Sequence, residues 1–456
     1  MADGRWQMAD TERHPPSAVR HPIVPAIRVV LHTLRHALAD RVRRVMRKAM
    51  RRETKLRIGV DIRPFYEPLT GVGWYLYFVL HELAKHDDVE LYLFGDARVT
   101  DYGPELHADI PANAKLCTFD LRGIPWRDVM RPITAAGYVA WLALSDCDVF
   151  FGANYFLPRL HGAIAKRRVI TIHDLTYKRF PELLQKETLE NLERMMAREV
   201  TQADAIICVS ESTRRDLLEL YRVDPTRAIA IHSGLAPAPA SEPIDGLPSR
   251  YLLFVSTIEP RKDLGTLISA FERIRGQSAE GGAQDERIGG QRAEGGAQGS
   301  SSPSALRPLP SDFDDLSLVV VGKIGWKSQD ITPRLRQRGI VHLDYLRPSQ
   351  LATVYERAHA FVFPSIYEGF GFPLLEAMRH GIPSIAARSS SLPEIGGDAA
   401  LYFPPGDVDA LEAQLRRVLS DSALRDELAT RGRARAAEFR WDVAGEKTLD
   451  VLRRVG

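Results

Sequence analysis

The chain is poor in cysteine and lacks a long hydrophobic run. Its 456 residues include three cysteines, Cys117, Cys147 and Cys208, which lie far apart and lack the spacing of a metal site. Buried or free thiols in a reducing cytoplasm are the plain interpretation. The best apolar run, Ile133 to Leu144, has 12 residues and contains a glycine, so it is too short to span a bilayer. Since the start does not resemble a signal peptide, we expect a cytoplasmic protein.

Positive and negative charges nearly cancel, but they are unevenly distributed. The formal net charge is +2 at pH 7, whereas residues 1–57 carry 14 Lys and Arg against 5 Asp and Glu, which leaves about −7 for the remainder. This negative charge gives little support for nucleic-acid binding by the rest of the chain.

The basic character lies in an N-terminal arm. Residues 1–22 are polar and contain prolines, which predicts disorder. In residues 27–52, apolar side chains recur at helical spacing while arginines and lysines largely occupy other faces, which predicts a basic amphipathic helix. Such a helix can dock on an anionic membrane surface, making the protein peripheral on the inner face of the cytoplasmic membrane. Alternatively, the helix packs on the protein body or on a partner. A third alternative is that the start codon has been assigned too far upstream.

The most informative stretch is AFVFPSIYEGFGFPLLEAMRHG, residues 360–381. An apolar run ends at Pro364, a loop carries Glu368 and two glycines, and Pro373 opens a helix, so the pattern predicts strand, loop and helix. Glu368 on the loop and Glu376 in the first helical turn are then expected to face a ligand at the carboxyl end of the strand. The glycines and the free N–H groups at the helix start suit a phosphate. Alternatively, Glu376 complements the helix dipole and Glu368 is solvated.

The sequence of residues 360–381 resembles the Glu-x7-Glu signature of retaining glycosyltransferases with the GT-B fold, most closely the family 4 enzymes that use nucleotide sugars. The resemblance runs from about Leu56 to the C-terminus, and it implies an α/β protein with two Rossmann-like domains facing a deep cleft. Residues 276–312, where GQSAEGGAQ returns as GQRAEGGAQ, predict a disordered insertion. The expected parts are the start and amphipathic helix at 1–52, an N-terminal acceptor domain at 53–236, a linker at 237–249, a donor-nucleotide domain at 250–436, and a helix at 437–456 that crosses back.

A glycine pair precedes the first predicted helix. Gly71 and Gly73 form half of a dinucleotide fingerprint, but Leu76 stands where the third glycine belongs, so a nicotinamide-dependent oxidoreductase is disfavoured. The resemblance implies that this glycine loop lies across the cleft near the donor phosphates. The simpler interpretation is a tight turn before a helix.

An apolar strand ending in His173 and Asp174 is the second strong site. Histidine suits a hydrogen-bonding role because its two ring nitrogens can donate and accept. The resemblance implies that His173 contacts the donor sugar at the catalytic centre and that Asp174 orients the acceptor or holds the loop; a satisfied structural histidine is the alternative. Asp146 and Asp148 have a metal-like spacing but immediately precede a strand, so we favour capping roles and expect no metal.

Arg261 and Lys262 lie between a predicted strand and helix. A basic pair is usually solvated surface, but the resemblance implies that these cations bind the donor diphosphate. They would neutralise charge on the leaving nucleotide without a metal. The resemblance also implies that Glu376 binds the ribose hydroxyls and that Glu368 contacts the donor sugar near its reacting face. We do not assign Glu368 as a covalent nucleophile.

Further donor-site residues follow from the same resemblance. Backbone around Phe370 and Gly371 would bind phosphate or sugar, and Gly322 would end a strand near the nucleotide. Lys323 is a weaker candidate for phosphate contact. The segment from Ile340 to Leu346 would lie along the base. The stretch SSSLPEIGGDAALYFPPGD resembles the closing loop of the family, and its Ser391 and Glu394 are weak donor-site candidates.

The predicted function is transfer of a hexose, with retention, from a nucleotide diphosphate sugar to a growing, lipid-linked glycan. The sequences HDLTYKRFPE, STIEPRKDL and GKIGWK resemble those of bacterial mannosyltransferases of O-antigen and exopolysaccharide assembly, so GDP-mannose is the preferred donor. GDP-rhamnose or a UDP-sugar are alternatives. Two other classes stay open: a nucleotide-sugar epimerase, which needs no acceptor, and a non-catalytic membrane scaffold. No cofactor is expected, since the nucleotide sugar is a substrate.

Overall fold

The computed structural model describes residues 35, 38, 39, 42, 55–65, 71–96, 111, 113–119, 146–155, 157, 166–285 and 313–456. The predicted disordered start and, apart from four helical positions, the predicted basic helix lie outside these residues. The architecture below belongs to one compact unit formed by Lys55–Thr118 and Cys147–Gly456. No helix among the described residues is long and apolar enough to cross a membrane.

The first sheet has seven described strands in the order β3-β2-β1-β4-β5-β6-β7. The neighbours from β2 across to β7 pair in parallel. Its strands are β1 (Leu56–Asp61), β2 (Val89–Asp96), β3 (Ala114–Phe119), β4 (Val149–Gly152), β5 (Arg168–Ile172), β6 (Ala205–Cys208) and β7 (Ala228–Ala230). The helices connected with it are α1 (Gly71–Leu83), α2 (Thr176–Arg179), α3 (Lys186–Gln202) and α4 (Glu211–Tyr221).

The second sheet has six strands, all parallel, in the order β10-β9-β8-β11-β12-β13. They are β8 (Tyr251–Val255), β9 (Ser317–Val321), β10 (Ile340–Leu343), β11 (Ala360–Phe363), β12 (Ser384–Ala387) and β13 (Ala400–Phe403). The helices are α5 (Leu264–Asp285), α6 (Pro348–Glu356), α7 (Phe372–Arg379), α8 (Leu392–Gly396), α9 (Val408–Ser420), α10 (Ser422–Ala437) and α11 (Trp441–Val455).

Both sheets reverse their strand order beside their first strand, between β1 and β4 and between β8 and β11. The strands there are apolar and almost wholly buried, as expected for parallel sheets covered on both faces. Ligands of open α/β sheets bind at the carboxyl ends of the strands flanking such a reversal. The fold therefore creates two ligand edges, and the loops that follow β5, β8 and β11 lie on them.

The final helix, α11, packs on α1 of the first sheet. The Trp441 ring stacks on Phe78, with centroids 5.0 Å apart, and meets Tyr75 edge-on at 6.0 Å. Just before α11, the Leu235 amide donates to the Phe439 carbonyl at 2.9 Å. The C-terminal helix thus returns to the first Rossmann-like half, which it ties to the second.

The structure corrects three details of the sequence interpretation. The helix α5 continues to Asp285, so residues 276–285 are helical where disorder was predicted, because extending a helix that has already formed avoids the cost of nucleating a new one; residues 286–312 lie outside the described part. The stretch after β12, interpreted as a loop, contains α8 and β13. Glu376 is the fifth residue of α7 and lies beyond its first turn.

The helix α7 starts one residue before the predicted Pro373. Gly371 caps it with a φ of 111°, a left-handed conformation that glycine adopts without steric cost. The fixed φ of Pro373 suits the first turn. Ser210 caps α4, its hydroxyl accepting from the Thr213 amide. Local turn chemistry therefore defines both helix starts that border the cleft.

Candidate active site

Four charged side chains meet at the ligand edge of the second sheet. Lys262 Nζ donates to Glu368 Oε1 at 2.5 Å, and Arg261 Nη1 donates to Glu368 Oε2 at 3.0 Å. Arg261 Nη2 also donates to Glu259 Oε1 at 2.8 Å. Lys262 and Glu368 are 8% and 7% exposed, so the Arg–Lys pair is not solvated surface. The structure brings three predicted residues together and adds Glu259.

The protonation of this cluster follows from burial and charge. Burial opposes ionisation of Glu368, but Lys262 and Arg261 outweigh it and hold the pKa of the carboxyl below its ordinary value. Burial lowers the pKa of Lys262, and the charge of Arg261 lowers it further, although Glu368 acts in the opposite sense. Burial raises the pKa of Glu259. Glu368 is therefore an ionised carboxylate whose two oxygens are engaged by cations.

The Glu368 loop is held by serines and by a close backbone approach. The Glu368 amide donates to Ser390 Oγ at 2.7 Å, and the buried Ser391 hydroxyl lies 2.9 Å from the Glu368 carbonyl and 2.8 Å from that of Phe370. A side chain at Gly369 would collide with the His173 carbonyl, 1.6 Å from its Cβ. Ser391, a weak donor candidate, thus supports the loop backbone, and the loop abuts the first sheet's ligand edge.

Glu376 lies in a different environment. Tyr355 donates its hydroxyl to Glu376 Oε2 at 3.0 Å. Burial raises the pKa of Glu376, although Tyr355 and Arg379 oppose the shift. Within the described part of the chain, no hydrogen bond joins Glu376 to Arg261, Lys262 or Glu368. The two glutamates of the signature therefore serve separate parts of the edge.

His173 and Asp174 follow β5 at the ligand edge of the first sheet. His173 Nε2 lies 2.7 Å from the Ala153 carbonyl, and its ring meets Tyr75 and Tyr155 edge-on at 5.0 and 5.8 Å. Because a carbonyl only accepts, Nε2 carries the proton in the neutral ring and Nδ1 is the acceptor. Burial lowers the pKa of His173. Asp174 Oδ1 accepts from the Thr176 amide at 3.0 Å, a contact within the loop after β5.

The predicted glycine loop belongs to the first turn of α1. Gly71 is the first residue of the helix and Gly73 is buried within it, so both lie in the helix and not in the loop before it. A Cβ on Gly71 would lie 3.8 Å from the Phe372 ring, which places this helix start beside α7. The first-turn N–H groups of α1 lack intrahelical acceptors and suit an anion.

Gly322 and Lys323 follow β9, as predicted. The Gly322 carbonyl lies 2.9 Å from His342 Nε2 on β10. Lys323 is exposed, and its Nζ lies 5.7 Å from the centre of the Tyr345 ring. Phe370 is buried and packs on Phe372, with centroids 4.8 Å apart. These residues border the edge without joining the charged cluster.

Two acidic candidates make structural contacts. Asp148 Oδ2 accepts from the Arg57 amide at 3.0 Å and so joins the start of β4 to β1. Glu394 accepts from the Glu211 and Ser212 amides at 2.7 and 2.9 Å and lies 2.5 Å from His232 Nε2. Glu394 thus caps α4, which argues against donor contact. No group of three or more His, Cys, Asp or Glu among the described residues has metal-site geometry.

Sequence reasoning missed Glu259, Tyr355 and Ser390. Glu259 stands two residues before Arg261 at a strand end, so the run Glu-Pro-Arg-Lys carried a usable signal. Tyr355 and Ser390 reach the signature glutamates from other elements, α6 and the loop after β12. No local pattern marks such partners.

Solved structures show which fold the chain has. Sucrose-phosphate synthase from Thermosynechococcus elongatus superposes with a TM-score of 0.61, covering 88% of this chain and 99% of that chain at 18% identity. HepE of Anabaena, solved in complex with UDP and glucose, superposes with a TM-score of 0.59 over 88% of this chain and 99% of that chain at 17% identity. The chain has the GT-B fold of two Rossmann-like domains.

Family models then narrow the class. The model described as Glycosyltransferase Family 4 matches residues 69–238, and the one described as Glycosyl transferases group 1 matches residues 303–435. The O-antigen chain mannosyltransferase B of Escherichia coli is 28% identical over 412 residues, spanning 86% of this chain and 97% of that enzyme. The chain belongs to the family 4 glycosyltransferases and is an enzyme of the hexosyltransferase type.

Proposed function

We propose that this enzyme transfers mannose from GDP-mannose, with retention, to a growing, lipid-linked glycan of O-antigen or exopolysaccharide type. The observation that carries the proposal is the buried Arg261–Lys262–Glu368 cluster at the switch point of the second sheet, where a diphosphate would bind. The preference for mannose is supported by the relative named O-antigen chain mannosyltransferase B, matched over 97% of its length.

The cations of the cluster would bind the donor diphosphate. Arg261 presents a planar fork of donors and Lys262 a compact charge, and both suit phosphate oxygens. As the sugar–phosphate bond breaks, negative charge grows on the leaving nucleotide, and fixed cations stabilise it without reorganisation. These residues would thereby replace a metal ion in the reaction.

Glu368 would contact the donor sugar without acting as a covalent nucleophile. Both carboxylate oxygens accept hydrogen bonds from cations, and such bonds reduce the electron density available for attack. Transfer on the front face within an ion pair is consistent with this arrangement. Backbone N–H groups around Phe370 and Gly371 would add contacts to phosphate or sugar at the start of α7.

His173 would position the sugar as a hydrogen-bond acceptor. Its protonated Nε2 bonds to the Ala153 carbonyl, which directs Nδ1 to a sugar hydroxyl as the proton acceptor. Glu376, whose carboxylate can accept two ribose hydroxyls, would bind the nucleoside end of the donor. Docking of residues 27–52 on an anionic membrane would bring the enzyme to a lipid-linked acceptor.

The test is direct binding of the purified protein to GDP-mannose, GDP-rhamnose, UDP-glucose, UDP-N-acetylglucosamine and the free nucleotides, with and without EDTA. We expect GDP-mannose to bind most tightly and EDTA to change its affinity less than about twofold, since the cations replace a metal. Tighter binding of a UDP-sugar overturns the donor assignment, and loss of binding in EDTA overturns the metal-free site.

Two controls separate the other classes. Incubation with the donor alone reports an epimerase if a new nucleotide sugar forms, whereas the proposed transferase converts the donor only when a glycan acceptor is added. The variant Lys262→Ala is the matched negative control for binding. A wild-type protein that binds no nucleotide sugar would favour the scaffold alternative.

A further inference from the structure

The loop of Tyr367 to Gly369 contacts both Rossmann-like halves at once. The buried Tyr367 side chain donates its hydroxyl to Asp216 Oδ2 on α4 and accepts from the Leu175 amide at 3.3 Å. The Gly369 carbonyl lies 2.7 Å from Ser210 Oγ, which caps α4. The loop after β11 in the second sheet is therefore docked on elements that follow β5 and β6 in the first.

The same loop also holds the charged residues of the donor edge. Arg261 Nη1 donates to the Tyr367 carbonyl at 2.9 Å as well as to Glu368. Glu368 follows Tyr367 directly, so the position of the Tyr367–Glu368 peptide group fixes both the Glu368 carboxylate and the Arg261 guanidinium. Leu175 follows His173 and Asp174 by two and one residues. One tyrosine hydroxyl therefore links the His173 edge to the Arg261–Glu368 edge.

Asp216 is a prepared acceptor for this hydroxyl. Arg179 Nε and Nη2 donate to Asp216 Oδ1 at 2.9 and 2.5 Å, which leaves Oδ2 facing Tyr367. The Phe180 ring lies 5.7 Å from the Tyr367 ring. Because Arg179 satisfies the Asp216 charge, loss of the tyrosine hydroxyl does not leave an unpaired buried carboxylate. The contact is thus separable from the folding of either half.

We propose that Tyr367 is a positioning residue for glycosyl transfer, because its bond to Asp216 sets the Arg261–Glu368 cluster against the His173 edge when the two halves are closed. Neither the sugar nor the nucleotide needs to touch the tyrosine. The inference rests on glycosyl transfer by this site and is independent of which sugar is moved.

The experiment compares Tyr367→Phe, Asp216→Asn and the double variant. Removing a charge-assisted hydrogen bond should lower kcat about tenfold by depopulating the closed arrangement. Donor affinity, measured by calorimetry without acceptor, should change less than about twofold, because Arg261 and Lys262 lie on one half and keep their partners. Small-angle scattering with donor bound should show a larger radius of gyration for each variant than for the wild type.

The double variant should lose no more activity than the more severely affected single variant, because both changes remove one contact. Tyr251→Phe is the matched control: its buried hydroxyl donates to the Val354 carbonyl within the second half, so it should lower the melting temperature without changing kcat or the radius of gyration. Additive losses, or an unchanged kcat and radius in Tyr367→Phe, overturn the proposal.

The scattering and melting measurements need no acceptor and no turnover. If the donor assignment fails but the variants still expand and remain non-additive with the correct donor, the positioning role stands. If GDP-mannose is confirmed and Tyr367→Phe retains full kcat, the positioning role falls alone.

Discussion

The two ligand edges of this enzyme share a topology and differ in chemistry. At the first edge, a neutral His173 lies against a carbonyl and two tyrosine rings. At the second, Arg261 and Lys262 surround an ionised Glu368. A Rossmann-like sheet therefore supplies the position, and the loops after its strands decide whether that position suits a neutral sugar hydroxyl or a charged diphosphate.

The cost of the two edges also differs. A buried ion pair seldom improves stability over apolar packing, and breaking one leaves an uncompensated charge that costs about 3–5 kcal/mol. A buried neutral histidine carries a smaller penalty. The charged groups of the second edge lie where a charged donor would replace or share their ion-pair partners. We infer that they serve the function of the enzyme and not its stability.

Loss of a cation at the second edge should have the largest effect. We expect Lys262→Ala to lower kcat/KM by about 10²–10³, because a preorganised charge is removed from the leaving diphosphate. Steady-state kinetics with donor and acceptor measure the effect. Lys85→Ala, an exposed lysine paired with Glu82, is the control and should retain full activity. An equal loss in both variants, or none in Lys262→Ala, contradicts a diphosphate role.

Loss of the histidine at the first edge should have a smaller effect. We expect His173→Ala to lower kcat/KM by roughly 10²-fold, since one preorganised hydrogen bond is lost. His173→Gln, whose side-chain oxygen can still accept from a sugar hydroxyl, should recover part of the loss. Equal activity of the two variants would argue against an acceptor role for Nδ1.

The third comparison separates the two signature glutamates. We expect Glu376→Gln to raise the donor Kd about tenfold while kcat changes less than about threefold, because ribose contacts stabilise ground and transition states alike. Calorimetry and kinetics on the same preparation measure both. Glu356→Gln at the end of α6 is the control. An unchanged Kd would exclude the ribose role, and a fall in kcat alone would place Glu376 at the reacting sugar.

The sequence predicted strands and helices better than it predicted which side chains contact one another. The strands β5 and β11 lie where the sequence predicted strands, because a mostly apolar run precedes His173 in one case and Pro364 in the other. The strands β7 and β13 were missed, since three or four residues at a sheet edge carry no clear period. Contacts of Glu368 with Ser390 and of Glu376 with Tyr355 join distant segments, and only tertiary packing brings such segments together.

The smallest expected effect is the pH dependence that His173 adds to stability. Burial holds its pKa below 6.5 in the folded protein, whereas the unfolded chain takes up a proton near the ordinary value of about 6.5. Below that pH the unfolded state binds more protons, so stability falls as pH decreases, by at most about 1.4 kcal/mol per pH unit. His173→Gln removes this contribution, so its melting temperature should fall less than that of the wild type between pH 7.5 and 5.5. If the melting temperatures of wild type and His173→Gln instead changed in parallel with pH, protonation of His173 would not destabilise the fold. The assignment of His173 as a neutral hydrogen-bond acceptor, and with it the contrast between the two edges, would then be wrong.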